Sequence, residues 1–163
     1  MRLALAAGWM LQALSWGYAL AHVRRAAAGA GEWGREGVIR LGMLLLVGAA
    51  LWSPAGRIAA LTPGLTLACL GVFWVGQITA VAARAQLGVA WGVGVLPRSA
   101  RPVRTGIYAT IPHPIYTGTL LALAAQLVLL QNLPASALLA SGVIVVFFKI
   151  RAESARLGDG AGP

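Results

Sequence analysis

Apolar residues run along this chain in five long stretches, Leu3 to Ala21, Val38 to Trp52, Leu65 to Ala83, Ile115 to Leu130 and Ala135 to Phe148, parted by short segments rich in arginine, glycine and proline. A helix needs roughly 20 apolar residues to cross a hydrocarbon core, and fewer where it is tucked among neighbours. The pattern therefore predicts an all-α, polytopic membrane protein with about five transmembrane helices. The last two stretches are joined only by Gln131-Asn-Leu-Pro134, which makes them an antiparallel C-terminal hairpin. After the second stretch, Ser53-Pro-Ala-Gly56 up to Thr62-Pro-Gly64 reads either as a broken extension of that helix or as an interfacial turn. The first stretch lacks the basic start of a secretory signal and is read as a retained helix.

Composition agrees with this pattern. A chain of 163 residues that is 59% hydrophobic and 10% charged, with mean hydropathy +0.79, lies outside the soluble globular range, and its length suits one domain spanning 1–163. Its richness in Ala, Gly and Arg points to a GC-rich bacterial source. The formal charge of +9 does not signal nucleic acid, because the arginines lie in short loops between apolar stretches rather than on one basic face. They report orientation instead. With five spans, eleven positive residues share one side: Arg24, Arg25, Arg35, Arg40, Arg84, Arg98, Arg101, Arg104, Lys149, Arg151 and Arg156. The other side has Arg2 and Arg57. Positive-inside bias then places the N-terminus outside and the C-terminus in the cytosol of a multi-pass plasma-membrane protein. Trp9, Trp16, Trp33, Trp52 and Trp74 fit membrane interfaces and helix packing, and Cys69, the single cysteine, falls mid-span.

Candidate chemistry gathers where polar residues meet the fourth stretch, in Arg104-Thr-Gly-Ile-Tyr-Ala-Thr-Ile-Pro-His-Pro-Ile-Tyr116. Pro114 suits the first turn of a helix, and the prolines push Ile111 and His113 toward extended geometry, so His113 falls near the helix cap. Tyr116 and Thr117, three and four residues on, share its face. The helix start, with Arg101 and Arg104, makes an anion pocket. Glu153 follows the fifth stretch, so the hairpin returns it to the same membrane surface as His113. Each residue alone has a plain structural explanation: His113 as a solvated cap, Glu153 as an i,i+4 partner of Lys149, the tyrosines as belt aromatics, the arginines as topology signals. Their convergence carries the functional reading, since an anion site, a carboxylate and aromatic faces suit a zwitterionic, cationic cofactor.

From Arg84 to Leu157 the chain resembles the isoprenylcysteine carboxyl methyltransferase family, in Gln86-Leu-Gly-Val-Ala-Trp91, Val103-Arg-Thr-Gly-Ile-Tyr108, His113-Pro-Ile-Tyr-Thr-Gly118 and Arg151-Ala-Glu-Ser-Ala-Arg-Leu157. The resemblance implies an integral membrane methyltransferase that uses S-adenosylmethionine. Its cytosolic pocket is capped by the loop before the fourth helix and the segment after the fifth, within a cofactor-binding region spanning 84–157; a flexible tail follows at 158–163. Carried over by position, His113, Pro114, Tyr116 and Glu153 contact the cofactor, while Leu87, Gly88, Gly106 and Tyr108 shape the pocket. Arg104, His113 and Glu153 form the catalytic set, with His113 a base if the acceptor is a thiol. Acceptors are lipophilic or small molecules bearing a carboxylate or thiol, met at the lipid bilayer. Two positions depart from the family pattern: Pro112 stands where the family has arginine, and Ser154 where it has a second glutamate. Two other readings stay open, an NADPH-dependent membrane reductase with a similar terminal hairpin, and a non-enzymatic membrane protein that retains the fold.

Overall fold

The computed structural model describes residues 1–23, 30–53, 60–87 and 104–158, leaving aside the side chains at 19–23, 30–40 and 152–158. All regular structure among the described residues is helical: α1 (Arg2–Val23), α2 (Ala30–Trp52), α3 (Pro63–Leu87), α4 (Ile107–Thr110), α5 (Pro114–Leu130) and α6 (Leu133–Gly158). Each of the five apolar stretches forms a helix. The helices outrun the stretches, because good helix formers such as Ala, Arg and Glu continue the hydrogen-bond ladder past the apolar section. Thus α2 begins eight residues before Val38, and α6 continues without a break through Glu153 to Gly158. Glu153 therefore stands on the last helix rather than on a separate segment after it, and Gly158, expected in the tail, closes that helix; 159–163 lie outside the described residues.

By length and composition, Pro63–Leu87 and Leu133–Arg151 can cross a membrane, with mean hydropathies of 1.8 and 2.0, while Leu41–Trp52 and Pro114–Leu130 are shorter apolar helices. Only 22% of each longer segment is buried by the rest of the chain. Such low burial differs from that of a soluble protein's core helix. Leu67, Val75, Ile78, Ile144, Phe147 and Phe148 are exposed along them, an outer surface suited to hydrocarbon.

Local chemistry sets the helix ends. Thr62 accepts the Leu65 N–H on its Oγ1 at 3.3 Å and Pro63 follows at the first helical position, a cap and a preset φ for α3. In the hairpin, Gln131 turns left-handed (φ 50°) and its N–H bonds Leu127 O at 2.8 Å. Asn132 then caps α6 through Oδ1, 2.9 Å from Ala135 N, while its Nδ2 donates to Ala50 O at 2.8 Å. One side chain thus ends the hairpin and ties it to α2.

The most intimate packing joins α3 to α5, not α5 to its hairpin partner α6. A Cβ on Gly76 would lie 2.5 Å from Gly118 O and 2.8 Å from Ala122 N; one on Gly118 would lie 2.5 Å from Gly76 O. Burying apolar side chains gains little between helices in lipid, so backbone approach at small residues supplies the contact area. Around this crossing Leu5, Trp9, Phe73, Leu123, Leu129 and Leu138 form the core, with Trp9 edge-on to Phe73 at 6.3 Å.

Candidate functional site

The segment between α3 and α5 is held at both of its ends. Gln86, exposed on the last turn of α3, donates from Nε2 to Thr105 O at 2.7 Å and accepts the Ile107 N–H on Oε1 at 3.1 Å. One amide thereby clamps two backbone groups that flank Gly106. At φ 56°, ψ −129°, Gly106 occupies a region open to glycine alone, and a Cβ would overlap the Gln86 amide. From this clamp the chain winds α4, with Tyr108 N–H to Thr105 O at 3.2 Å and Ile111 N–H to Ile107 O at 3.0 Å. The Tyr108 hydroxyl then donates to Ala83 O at 3.2 Å, a second tie to α3.

At the other end, His113 caps α5 and Pro114 is buried at the first helical position. His113 is left-handed, φ 49° and ψ 54°, where extended geometry is expected ahead of proline. The chain reverses there from α4 into α5 through this left-handed residue, a conformation uncommon outside glycine. It also aims the His113 carbonyl down the helix, where it accepts the N–H groups of Tyr116 at 2.9 Å and Thr117 at 3.0 Å. Two first-turn donors are spent in this way and Pro114 has none, so the helix start offers an anion little beyond its dipole. The Thr117 hydroxyl is likewise engaged, donating to Pro112 O at 3.2 Å. What the cap does present is an aromatic platform: the rings of His113 and Tyr116 stack at 5.9 Å with 25° between their planes, both half-buried.

Of the residues predicted from sequence, the structure pairs His113 directly with Tyr116 and fixes Gly106 and Tyr108 against the end of α3, where Leu87 is the last helical residue. Arg104 is exposed at the start of the same segment, and Pro112 is exposed before the cap. Gly88 and Arg101 lie outside the described residues, as does the Glu153 side chain. The Glu153 backbone stands one turn after Lys149 on α6, the helix that returns from the hairpin. Gln86 opens the Gln86-Leu-Gly-Val-Ala-Trp91 motif, yet nothing in the local sequence marks it as a clamp. The sequence reading also passes over Gln12, Gln77 and Gln126, polar residues in mid-stretch, a position that in membrane helices signals interior contacts.

Compared with known proteins, the chain matches the model of the isoprenylcysteine carboxyl methyltransferase (ICMT) family over residues 68–158, more than half its length. The matched region runs from α3 to the end of α6 and includes the clamp, the platform and the Glu153 position. No curated protein and no solved structure matches the chain.

Proposed function

The chain belongs to the ICMT family of membrane methyltransferases, and on that premise we propose that it transfers a methyl group from S-adenosylmethionine to a carboxylate or thiol of a lipophilic or small acceptor at the cytosolic membrane surface. The observation that carries this reading is the His113 and Tyr116 platform, which stands at the head of α5 beside a loop pinned through Gln86 and Tyr108, all within the family-matched region. The residues suit this cofactor. Stacked half-buried rings offer faces to an adenine or to a sulfonium cation, and Arg104 supplies positive charge for a carboxylate. Glu153, on the returning helix, supplies negative charge for an ammonium or ribose hydroxyl.

When bound, the cofactor supplies an activated methyl group, so the reaction needs no protein nucleophile. The chain's own contribution is placement and electrostatics. The Gln86 clamp and the left-handed His113 hold the segment that bears Tyr108 and the platform in one geometry. Arg104 and Glu153 orient opposite charges. For a thiol acceptor, His113 takes the proton; a carboxylate requires none. The positive-inside asymmetry supports a plasma-membrane protein with the N-terminus outside and this site in the cytosol. Thermal unfolding of the purified protein tests the reading. S-adenosylhomocysteine should raise the unfolding temperature and NADPH should not, whereas stabilisation by NADPH alone would move the protein to the reductase class.

A further inference from the structure

Three glutamines with no exposed surface stand inside the bundle: Gln12 on α1, Gln77 on α3 and Gln126 on α5. A buried amide is costly unless paired, so its partners decide its role. Trp9 Nε1, which can only donate, ends on Gln126 Oε1; this fixes the orientation of that amide and leaves its Nε2 without a partner. The Thr119 hydroxyl donates to Ile115 O at 2.8 Å, so it accepts from Gln12 Nε2 at 3.3 Å, and Gln12 Oε1 has no partner. Both polar atoms of Gln77 lack partners as well. The three amides therefore hold two unused donors and two unused acceptors in balance, and the one buried charge near them is the Arg84 guanidinium, bound to Ser15 Oγ and lying over the Trp16 ring.

The three amides face one seam. Gly8 lies against Phe73 and Gln77, where its Cβ would sit 3.3 Å from Gln77 Cγ, and Gln12 is one turn further along that face of α1. Thr119 and Gln126, the partners of Gln12 and Trp9, are two turns apart on one face of α5. The seam leads to the candidate site at two points. Ser15 Oγ donates to Gln12 O at 2.7 Å and accepts from the buried Arg84 guanidinium, next to Ala83, whose carbonyl holds Tyr108. On α5, Ile115 stands two residues past His113.

We propose that this seam binds a neutral group that both donates and accepts hydrogen bonds, an amide or a hydroxyl, carried into the bundle by a lipophilic ligand. The choice of a neutral group follows from the glutamines, which can satisfy its hydrogen bonds but cannot balance an ion, while the Arg84 charge stands beyond Gln12, held by Ser15 and the Trp16 ring. Entry parts α1 from α3 and α5; Leu3, Met10, Leu14 and Tyr18 of α1 are exposed on its opposite side. Because Trp9, Gln12 and Ser15 precede the family-matched residues, recognition of the guest draws on a helix outside the region that bears the cofactor platform. Identification of the guest with the methyl acceptor rests on the proposed function; binding to the seam does not.

The test uses the full-length protein in lipid nanodiscs without cofactor, and measures thermal unfolding with octadecanamide, octadecanol or octadecane. The amide and the alcohol should raise the unfolding temperature of the wild type by roughly 2–4 °C at saturation, and the hydrocarbon should not. Gln77→Met and Gln12→Met, close in shape to the parent but without the amide, should keep a cooperative transition and lose the amide response. Equal shifts with all three probes, or an amide shift that survives in both variants, overturns the proposal. If the wild type ignores every probe and Gln77→Met lowers the unfolding temperature, ordered water fills the seam and the lipid-borne guest is overturned. A protein that fails here yet is stabilised by S-adenosylhomocysteine loses this inference and keeps the proposed function, and the reverse pattern separates them the other way.

Discussion

Gly106 has no room for a side chain, and the site depends on that. Its φ of 56° with ψ −129° excludes other residues, and the Gln86 amide fills the space a Cβ would take. Gly106→Ala should therefore cost about 1–3 kcal/mol in holding the loop, read by calorimetry as roughly a five- to 150-fold loss of S-adenosylhomocysteine affinity. Gln86→Ala should cost about 1 kcal/mol, less than two buried bonds would, because the clamp is exposed and water can replace it. Wild-type affinity in both variants would show that the loop conformation does not govern the site. At this scale the sequence was partly legible. Proline marked the start of α5 and the i,i+3 spacing put Tyr116 beside His113, as found. The left-handed turn at His113 was hidden, since it comes from the reversal between α4 and α5 rather than from the His-Pro pair. Gln86 was hidden too, because an amide that grips backbone 19 and 21 residues away leaves no local pattern.

Among helices, the crossing of α3 with α5 matters more than the hairpin that the short connection announces. Gly76→Ala and Gly118→Ala each set a methyl against opposing backbone and should force the helices apart at about 1–3 kcal/mol. Gly71, on the same helix, has open space around it, and Gly71→Ala should gain up to about 1 kcal/mol of helix propensity. Thermal denaturation in one detergent compares all three; equal effects would mean that the close approach contributes nothing. Apolar runs revealed the helices because length and hydropathy are local properties. They did not reveal which helices meet, since Gly76 and Gly118 differ from Gly71 only in what lies opposite. The four-residue α4 was missed for the same reason: it is too short for a periodic signal and exists because Gln86 pins its start.

For the molecule as a whole, the family is membrane-embedded, and the proposed site lies on the segment from the end of α3 to the head of α5. The proposed orientation, N-terminus outside, follows from five spans, which put eleven positive residues on one side and two on the other. With Cys69→Ser as background, a single cysteine placed between Arg98 and Arg104 should resist an impermeant maleimide in intact cells and react once the cells are opened; labelling from outside would reverse the topology. The central claim is that S-adenosylmethionine binds at the head of α5 with Glu153 of α6 among its contacts. Titration calorimetry of the wild type and Glu153→Ala tests it most directly. The account predicts one saturable site in the wild type and a loss of about 1.5–3 kcal/mol in the variant, roughly ten- to a hundredfold in affinity, from removal of a charge-assisted hydrogen bond. No binding by the wild type would contradict the claim outright, and equal affinities would return Glu153 to its role as a surface partner of Lys149.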